Sequence, residues 1–317
     1  MEARIVYSVV VPVYNEEEVI QKSYRRLTDV MEMLGECYEL IFVNDGSQDK
    51  TLQLLQEVAS LDANVRILDF SRNFGHQIAI TAGMDASLGE AVVVIDADLQ
   101  DPPELIPVMI EKWKQGYEVV YAKRRKRKGE SWFKRVTALA FYRILRAMTN
   151  VDIPVDTGDF RLIDRVVCQT MSSIKEKNRF VRGLVSWVGF KQIAVEYDRD
   201  ERAAGETKYP LRKMLKLSVD AMTSFSEKPL KLASYAGFAV SAISFIGFIV
   251  TICMKLFTDS TVAGWASLLC TVLFMNGILL IILGIIGEYI GRIYDESKDR
   301  PLYIVSKRIG YEHNSSV

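Results

Sequence analysis

Residues 91–103 read Ala-Val-Val-Val-Ile-Asp-Ala-Asp-Leu-Gln-Asp-Pro-Pro, and this stretch decides the fold. Its first five residues are apolar and rich in β-branched side chains, which is typical of a strand buried on both faces. Pro102 and Pro103 suit the first turn of a new helix. The stretch therefore predicts an α/β sheet in which Asp96 and Asp98 lie at the carboxyl end of a central strand.

Asp96 and Asp98 are a pair of carboxylates at the edge where open α/β sheets bind their ligands. Hard carboxylate oxygens suit Mg²⁺ or Mn²⁺, which proteins often hold together with substrate phosphates. We therefore expect a metal site here. Because Asp-x-Asp by itself is a weak signal, two solvated carboxylates in a strand-end turn are the alternative.

Strands alternate with helices through the first 122 residues. Apolar runs predict strands at residues 5–13, 38–43, 65–70, 91–95 and 117–122, with helices between them. This alternation predicts a mostly parallel sheet with right-handed crossovers. A Rossmann dehydrogenase is the obvious rival, but it needs Gly-x-Gly-x-x-Gly after its first strand. Residues 11–16 read Val-Pro-Val-Tyr-Asn-Glu, without a glycine, which argues against that class.

Later segments are shorter and more polar. Residues 156–161, Asp-Thr-Gly-Asp-Phe-Arg, predict a compact polar turn between apolar stretches. Residues 190–197 predict a strand, residues 202–208 a polar loop, and residues 303–311 a short strand or hairpin.

The charge of the chain is balanced, with 40 basic and 40 acidic residues, so net charge indicates no polyanionic partner. Six basic residues in a row occupy positions 123–128, before a predicted helix at 131–148 that mixes aromatic and basic residues. Nucleic-acid binding, a solvated loop, and contact with anionic lipid or a lipid phosphate are three interpretations. The apolar segments further along the chain favour the lipid, and no nucleic-acid partner is expected.

Two apolar segments, residues 232–254 and 268–287, each have the length of a membrane span. A helical hairpin buried in a soluble core is the alternative. Basic residues flank the pair on its outer sides, at Lys228, Lys231, Arg292, Lys298 and Arg300. By the positive-inside rule we expect an integral membrane protein with its globular domain and both termini in the cytosol.

Residues 211–225 repeat apolar residues at helical spacing and carry basic residues on the other face, which suits a helix in the membrane interface. A helix packed on the globular domain is the alternative. Small residues in the first apolar segment indicate close helix packing and allow a homo-oligomer. We divide the chain into a globular domain (1–210), an interfacial helix (211–229), a two-helix transmembrane hairpin (230–292) and a cytosolic tail (293–317).

Five motifs follow one another along the chain. They are Val-Val-Pro-Val-Tyr-Asn-Glu (10–16), Val-Asn-Asp-Gly-Ser-x-Asp-x-Thr (43–51), Asn-Phe-Gly-His-Gln-x-Ala (73–79), Asp-Ala-Asp-Leu-Gln-Asp-Pro-Pro-Glu (96–104) and Thr-Gly-Asp-Phe-Arg (157–161). In this order they resemble the family 2 glycosyltransferases. With the paired apolar segments, the chain is similar over essentially its whole length to polyprenyl-phosphate glycosyltransferases, such as bactoprenol glucosyltransferases and dolichyl-phosphate mannose synthase.

The resemblance implies a GT-A (Rossmann-like) fold and transfer of a hexose from a nucleotide sugar to a polyprenyl phosphate. We expect a UDP-sugar such as UDP-glucose as donor, undecaprenyl phosphate as acceptor, inversion at the sugar, and dependence on Mg²⁺ or Mn²⁺. The reaction is expected at the cytosolic face of a bacterial cell membrane. The Gln-x-x-Arg-Trp motif of processive synthases is absent from the sequence, which favours a single transfer. A catalytically inactive membrane scaffold of the same fold is the alternative.

The resemblance also implies roles for individual residues. Nucleotide binding falls to Pro12, Tyr14, Glu16, Asp45, Asp96, Arg202 and Lys208. Asp98, with Asp96 and Gln100, would hold the metal, and Arg124, Arg127 and Arg161 the acceptor phosphate. The catalytic set is Asp159, Asp96, Asp98 and Arg124. Dolichyl-type enzymes tend to have Ser-Gly-Phe-Arg where this chain has Thr-Gly-Asp-Phe-Arg, which points to the bacterial branch. Asp159 would either remove a proton or orient Arg161 or the acceptor.

Overall fold

The structure is a computed structural model that describes residues 4–125, 154, 157–198, 228–257 and 264–311. Its strands are β1 (Tyr7–Val13), β2 (Tyr38–Asn44), β3 (Val65–Phe70), β4 (Ala91–Val94), β5 (Val119–Arg124), β6 (Thr157–Asp164), β7 (Gln192–Tyr197) and β8 (Val305–Ile309). Its α-helices are α1 (Ile20–Leu34), α2 (Thr51–Leu61), α3 (His76–Ala86), α4 (Ile106–Lys114), α5 (Arg165–Ser173), α6 (Val181–Trp187), α7 (Lys228–Phe257) and α8 (Trp265–Ser297).

The strands form one mixed sheet in the order β7-β5-β6-β4-β1-β2-β3-β8. Parallel pairing joins β4, β1, β2 and β3, and also β5 to β7. Strand β6 runs antiparallel to both β4 and β5, and β8 runs antiparallel to β3. Every residue of β1, β2 and β4 is buried, because helices cover both faces of the sheet. The result is a GT-A-like α/β fold, and the five strands expected before residue 125 are all present.

The helices divide between the two faces of the sheet. Buried apolar side chains of α1, α2 and α4 pack on one face, and those of α3, α5 and α6 pack on the other. A 3₁₀ turn, Pro103–Leu105, leads into α4, so the two prolines after the carboxylate pair do open a helix. Because helices cover both faces, several polar side chains lie at the carboxyl ends of the central strands.

The polar turn predicted at 156–161 is wrong, because Thr157–Asp164 form strand β6 in the middle of the sheet. All but the last of its residues are buried, including Asp159 and Arg161. Burial of charged side chains is costly unless partners compensate it. Here hydrogen bonds to Arg182 and to backbone carbonyls of β6 supply that compensation. The polar composition therefore marks a buried charged cluster instead of a turn.

Helices α7 and α8 contain the two apolar segments and contact each other. Within α8, Phe274–Ser297 is long and apolar enough to cross a membrane, with 24 residues and a mean hydropathy of 1.8. In α7 the comparable apolar stretch is shorter, Ala233–Gly247. Among the described residues, one helix and not two therefore meets the length and hydropathy of a span.

The predicted single strand or hairpin at 303–311 is a strand, β8, which extends the sheet beside β3. Tyr303 stacks on Phe70 with ring centroids 5.4 Å apart. Just before this segment, Glu296 at the end of α8 accepts a hydrogen bond from the backbone of Lys177, at 2.7 Å. The chain that leaves α8 is therefore attached to the globular domain at two places.

Several predictions concern residues outside the described ranges. They are the second half of the basic run (126–128), the aromatic helix 131–148, the whole loop 202–208, most of the interfacial segment 211–229, and the site residues Arg127, Arg202 and Lys208.

Candidate active site

The site is built where β4 and β6 lie side by side. Their antiparallel register pairs Val94 with Arg161. Because partners in an antiparallel pair step in opposite directions, continuing this register places Asp96 opposite Asp159. The Nε2 atom of His76 lies 3.1 Å from Oδ2 of Asp159 and 3.5 Å from Oδ1 of Asp96. Two strand ends and the first residue of α3 thus bring two carboxylates and one imidazole together.

Asp159 is the most extensively bound carboxylate of the site. Arg182 donates to both of its oxygens, from Nε to Oδ1 at 2.7 Å and from Nη2 to Oδ2 at 3.0 Å. Gln77 Nε2 donates to Oδ2 at 3.4 Å, in addition to the contact with His76. Burial alone would raise the pKa of the Asp159 carboxyl, but Arg182 and His76 together hold it well below its usual range. Asp159 is therefore ionised at neutral pH and fixed in orientation.

The surroundings of His76 favour its charged form, whereas the surroundings of Asp96 disfavour its charged form. Burial would lower the pKa of His76, but Asp96 and Asp159 raise it to about 9. Burial raises the pKa of Asp96 to about 6, and the negative charges of Asp159, Asp101 and Asp98 act in the same direction, whereas His76 opposes them. The site thus concentrates carboxylates around one imidazolium.

Asp96 and Asp98 fit a divalent cation that takes its remaining ligands from a substrate. Oδ1 of Asp96 is buried without a hydrogen-bond partner among the described residues. Oδ1 of Asp98 accepts a hydrogen bond from the backbone of Gln100 at 3.1 Å, and Leu99 between them has a φ of 58°. Such a backbone conformation is sparsely populated by residues other than glycine and often marks functional sites. Within the described part of the chain, no cluster of three or more His, Cys, Asp or Glu side chains could enclose an ion alone.

Arg124 lies at the end of β5, where it joins a network with Tyr197 and Asp101. The parallel register of β5 and β7 places Arg124 beside Tyr197, and Nε of Arg124 donates to the Tyr197 hydroxyl at 3.2 Å. That hydroxyl donates to the buried Oδ1 of Asp101, which lies 3.9 Å from Nη2 of Arg124. A Cβ on Gly158 would lie only 3.0 Å from Nη2, so glycine leaves room for the guanidinium. Arg124 is thereby held next to the start of β6.

Arg161 is bound to the backbone of its own strand. Its side chain is buried, and its guanidinium donates to the carbonyl oxygens of Gly158 at 3.0 Å and Asp159 at 3.3 Å. Burial lowers the pKa of Arg161 to about 10, although Asp159 acts in the other direction. The carboxylate of Asp159 is oriented by Arg182 and His76, whereas Arg161 supports the backbone of β6. An acceptor-phosphate role for Arg161 stays a prediction.

Four of the predicted nucleotide residues lie at the carboxyl ends of β1 and β2. Pro12 is buried within β1, while Tyr14 and Glu16 follow it in a turn where Tyr14 is exposed. Asp45 is buried, and its carboxylate accepts hydrogen bonds from the backbone of Phe74, at 2.6 Å, and Gly75, at 2.9 Å. Burial raises the pKa of Asp45, and these two amides oppose the shift. Asp45 thus fixes the loop that leads into His76, and its contact with a base stays a prediction.

Sequence reasoning missed His76, Gln77 and Arg182. The first two belong to the motif at 73–79, but their role depends on carboxylates that reach them from other strands. Arg182 follows Phe180 and Val181 at the start of an otherwise apolar helix. A charged residue in an apolar segment needs a partner of opposite charge, and this requirement could have identified Arg182 from the sequence.

A mixed sheet of this order, with a carboxylate pair after its central strand, defines the GT-A-like class of glycosyltransferase folds. The family model described as Glycosyl transferase family 2 matches residues 8–171. The chain is 66% identical over 313 residues to the uncharacterized glycosyltransferase YkcC of Bacillus subtilis (strain 168), covering 99% of this chain and 97% of that one. It is 42% identical over 300 residues to the prophage bactoprenol glucosyl transferase homolog of Escherichia coli (strain K12), covering 95% and 98%. The bactoprenol glucosyl transferase of Shigella phage SfII is 43% identical, with 95% and 97% covered.

The chain belongs to glycosyl transferase family 2 and is a glycosyltransferase. A solved structure, glucosyl-3-phosphoglycerate synthase from Mycobacterium tuberculosis in complex with Mn²⁺ and UDP-glucose, overlaps with a TM-score of 0.43 and 18% identity over 69% of this chain and 77% of that one.

Proposed function

We propose that the chain is an inverting, metal-dependent hexosyltransferase that moves a sugar from a UDP-sugar, such as UDP-glucose, to undecaprenyl phosphate or a related polyprenyl phosphate. The observation that carries this proposal is the meeting of Asp96 and Asp159 at His76, at the carboxyl edge of the sheet. Relatives named bactoprenol glucosyl transferase, matched over 95% of the chain, support the lipid acceptor.

On the donor side, Asp98, Asp96 and Gln100 would hold Mg²⁺ or Mn²⁺. When bound, the metal neutralises the diphosphate that leaves as the anomeric bond breaks. The position of Asp96 and Asp98 after β4, at the carboxyl edge of the sheet, and the φ of 58° at Leu99 between Asp98 and Gln100 support this assignment. Tyr14, Glu16 and Asp45 lie at the same edge of the sheet and, together with Pro12, would surround the nucleoside.

On the acceptor side, a phosphate monoester has a second pKa of about 6 and is largely ionised at neutral pH. It therefore needs little proton removal before it attacks the sugar. The low pKa of Asp159 and its two-point contact with Arg182 support a positioning role over that of a general base. Arg124 beside β6 can bind the phosphate with a planar guanidinium, and Arg127 of the basic run would assist.

The lipid acceptor requires that the site face a membrane. We propose that α8 crosses the bilayer, that α7 is its partner in a hairpin, and that the catalytic domain and both termini are cytosolic. The apolar stretch Phe274–Ser297 supports the crossing, and the outer basic residues support the orientation. Segment 211–229 would lie in the interface.

The function is tested with the purified full chain in detergent. Radiolabelled UDP-, GDP- and dTDP-sugars are each incubated with undecaprenyl phosphate and Mg²⁺, and lipid-extractable label is counted. We expect a glycolipid from one UDP-hexose and none after EDTA is added. Binding of nucleotide sugars without transfer to any polyprenyl phosphate would support the inactive scaffold instead.

A further inference from the structure

We propose that His76 is a positioning residue that joins the donor carboxylate Asp96 to the acceptor-side carboxylate Asp159 through a single ring nitrogen. This inference rests on the proposed function, because it assigns the two carboxylates to the two substrates. It concerns a residue for which neither the motif pattern nor the similarity to known relatives supplies a role.

The geometry around the ring supports this role. Nε2 of His76 lies between Oδ2 of Asp159, at 3.1 Å, and Oδ1 of Asp96, at 3.5 Å. An N–H at this nitrogen can be shared between the two oxygens, whereas a bare nitrogen would face two acceptors. Without the ring, two carboxylates on adjacent strands would repel each other. His76 therefore keeps Asp159 in register with the metal-binding end of β4.

The position of the ring is set from the donor side of the site. Asp45 accepts hydrogen bonds from the backbone of Phe74 and Gly75, the two residues before His76. Gly75 has a φ of 105°, a conformation that favours glycine and turns the chain into α3. Asp45, which is predicted to contact the nucleoside, therefore fixes the loop that sets the orientation of the His76 ring.

The next residue extends the connection to the acceptor side. Gln77 donates to Asp159 at 3.4 Å and accepts a hydrogen bond from the backbone of Val181 at 3.0 Å. Val181 is followed by Arg182, which binds both oxygens of Asp159. A continuous set of contacts thus runs from Asp45 through His76 to Asp159. Loss of the ring should disturb the alignment of the two substrates more than the binding of either.

The kinetic test compares His76→Ala with His76→Gln, whose amide nitrogen reaches about the position of Nε2 and can still donate. We expect kcat of His76→Ala to fall by about tenfold to a hundredfold, the range that a small misalignment produces. The KM for the UDP-sugar should stay within about threefold, because the ring is assigned to the alignment of two carboxylates and not to the binding of the nucleotide. His76→Gln should recover part of kcat. The matched control is His313→Gln, which removes the second of the two histidines.

A binding measurement separates positioning from a loss of structure. Mn²⁺ binding in the presence of UDP is followed by electron paramagnetic resonance, which needs no turnover. Because His76 lies 3.5 Å from Oδ1 of Asp96, its removal should leave Mn²⁺ affinity equal or higher. Weaker binding of both Mn²⁺ and UDP by His76→Ala would overturn the proposal, because the ring would then only support the fold. An unchanged kcat would overturn it as well.

A spectroscopic test does not depend on the transferase activity. In the His313→Gln variant, ¹⁵N-histidine labelling leaves the imidazole signal of His76 alone. We expect Asp159→Asn to shift that signal, and an unshifted signal would contradict the contact. If the wild type forms no glycolipid with any nucleotide sugar, the proposed function fails, while this measurement still decides whether His76 is joined to Asp159.

Discussion

Arg182 binds Asp159 through two parallel contacts, with Nε 2.7 Å from Oδ1 and Nη2 3.0 Å from Oδ2. The Asp159 side chain is 5% exposed and that of Arg182 is 28% exposed, so water screens the pair only in part. A two-point contact of this kind fixes direction as well as distance. The carboxylate is therefore held rigidly beside His76, at the point where β6 lies next to the end of β4.

Replacing Arg182 with Leu should destabilise the protein by about 3 kcal/mol, because the buried Asp159 carboxylate then keeps only His76 and Gln77 as partners. Asp159→Asn/Arg182→Leu should be less destabilised than the sum of the two single variants, since the buried negative charge is gone. Thermal unfolding of the full chain in detergent checks both. Additive losses would show that the two side chains act independently.

Asp159→Asn should lower turnover by about a hundredfold at every pH between 6.5 and 8.5 if positioning is the role of this carboxylate. The loss should not depend on pH, because the pKa of Asp159 lies well below its usual range and the carboxylate stays ionised throughout this window. The measurement is a pH profile of kcat for variant and wild type. Rescue of the variant above about pH 8, where the acceptor phosphate is fully ionised, would instead identify Asp159 as a base.

Asp98→Asn should lose most activity and should weaken nucleotide binding mainly when a divalent cation is present, because the carboxylate is expected to hold that cation. Isothermal titration with UDP, with and without Mn²⁺, measures the difference. Asp29→Asn, on the exposed side of α1, is the control and should behave as the wild type does. Full turnover in excess EDTA would contradict a metal requirement.

Arg124→Ala should raise the KM for polyprenyl phosphate or lower turnover by more than about tenfold, even in neutral detergent, because a guanidinium can bind phosphate in two places. Lys126→Ala, two residues later, should matter only in anionic bilayers and less as salt rises. Both variants are assayed with a water-soluble short-chain acceptor and with the full lipid. Small, equal and salt-sensitive losses of activity in both variants would show that the basic run attracts the membrane and does not bind the acceptor phosphate.

Sequence reasoning succeeded for the parallel half of the sheet, where the information is local. The apolar run of β4 predicts a buried strand, and the residues after it lie at the carboxyl edge of the sheet, as expected. It failed at β6, because Asp159 and Arg161 resemble a turn until their distant partners are known. Arg182 is separated from Asp159 by 23 positions and His76 by 83. Such contacts arise from the pairing of β6 with β4, which no local pattern encodes.

The configuration of the product tests the central claim most directly. The purified chain is given UDP-α-hexose, undecaprenyl phosphate and Mg²⁺, and the glycolipid is analysed by mass spectrometry and by the anomeric coupling constant in proton NMR. The account predicts one hexose per lipid phosphate, in the β configuration. A product with retained α configuration, or release of free hexose and UDP without any glycolipid, would contradict it.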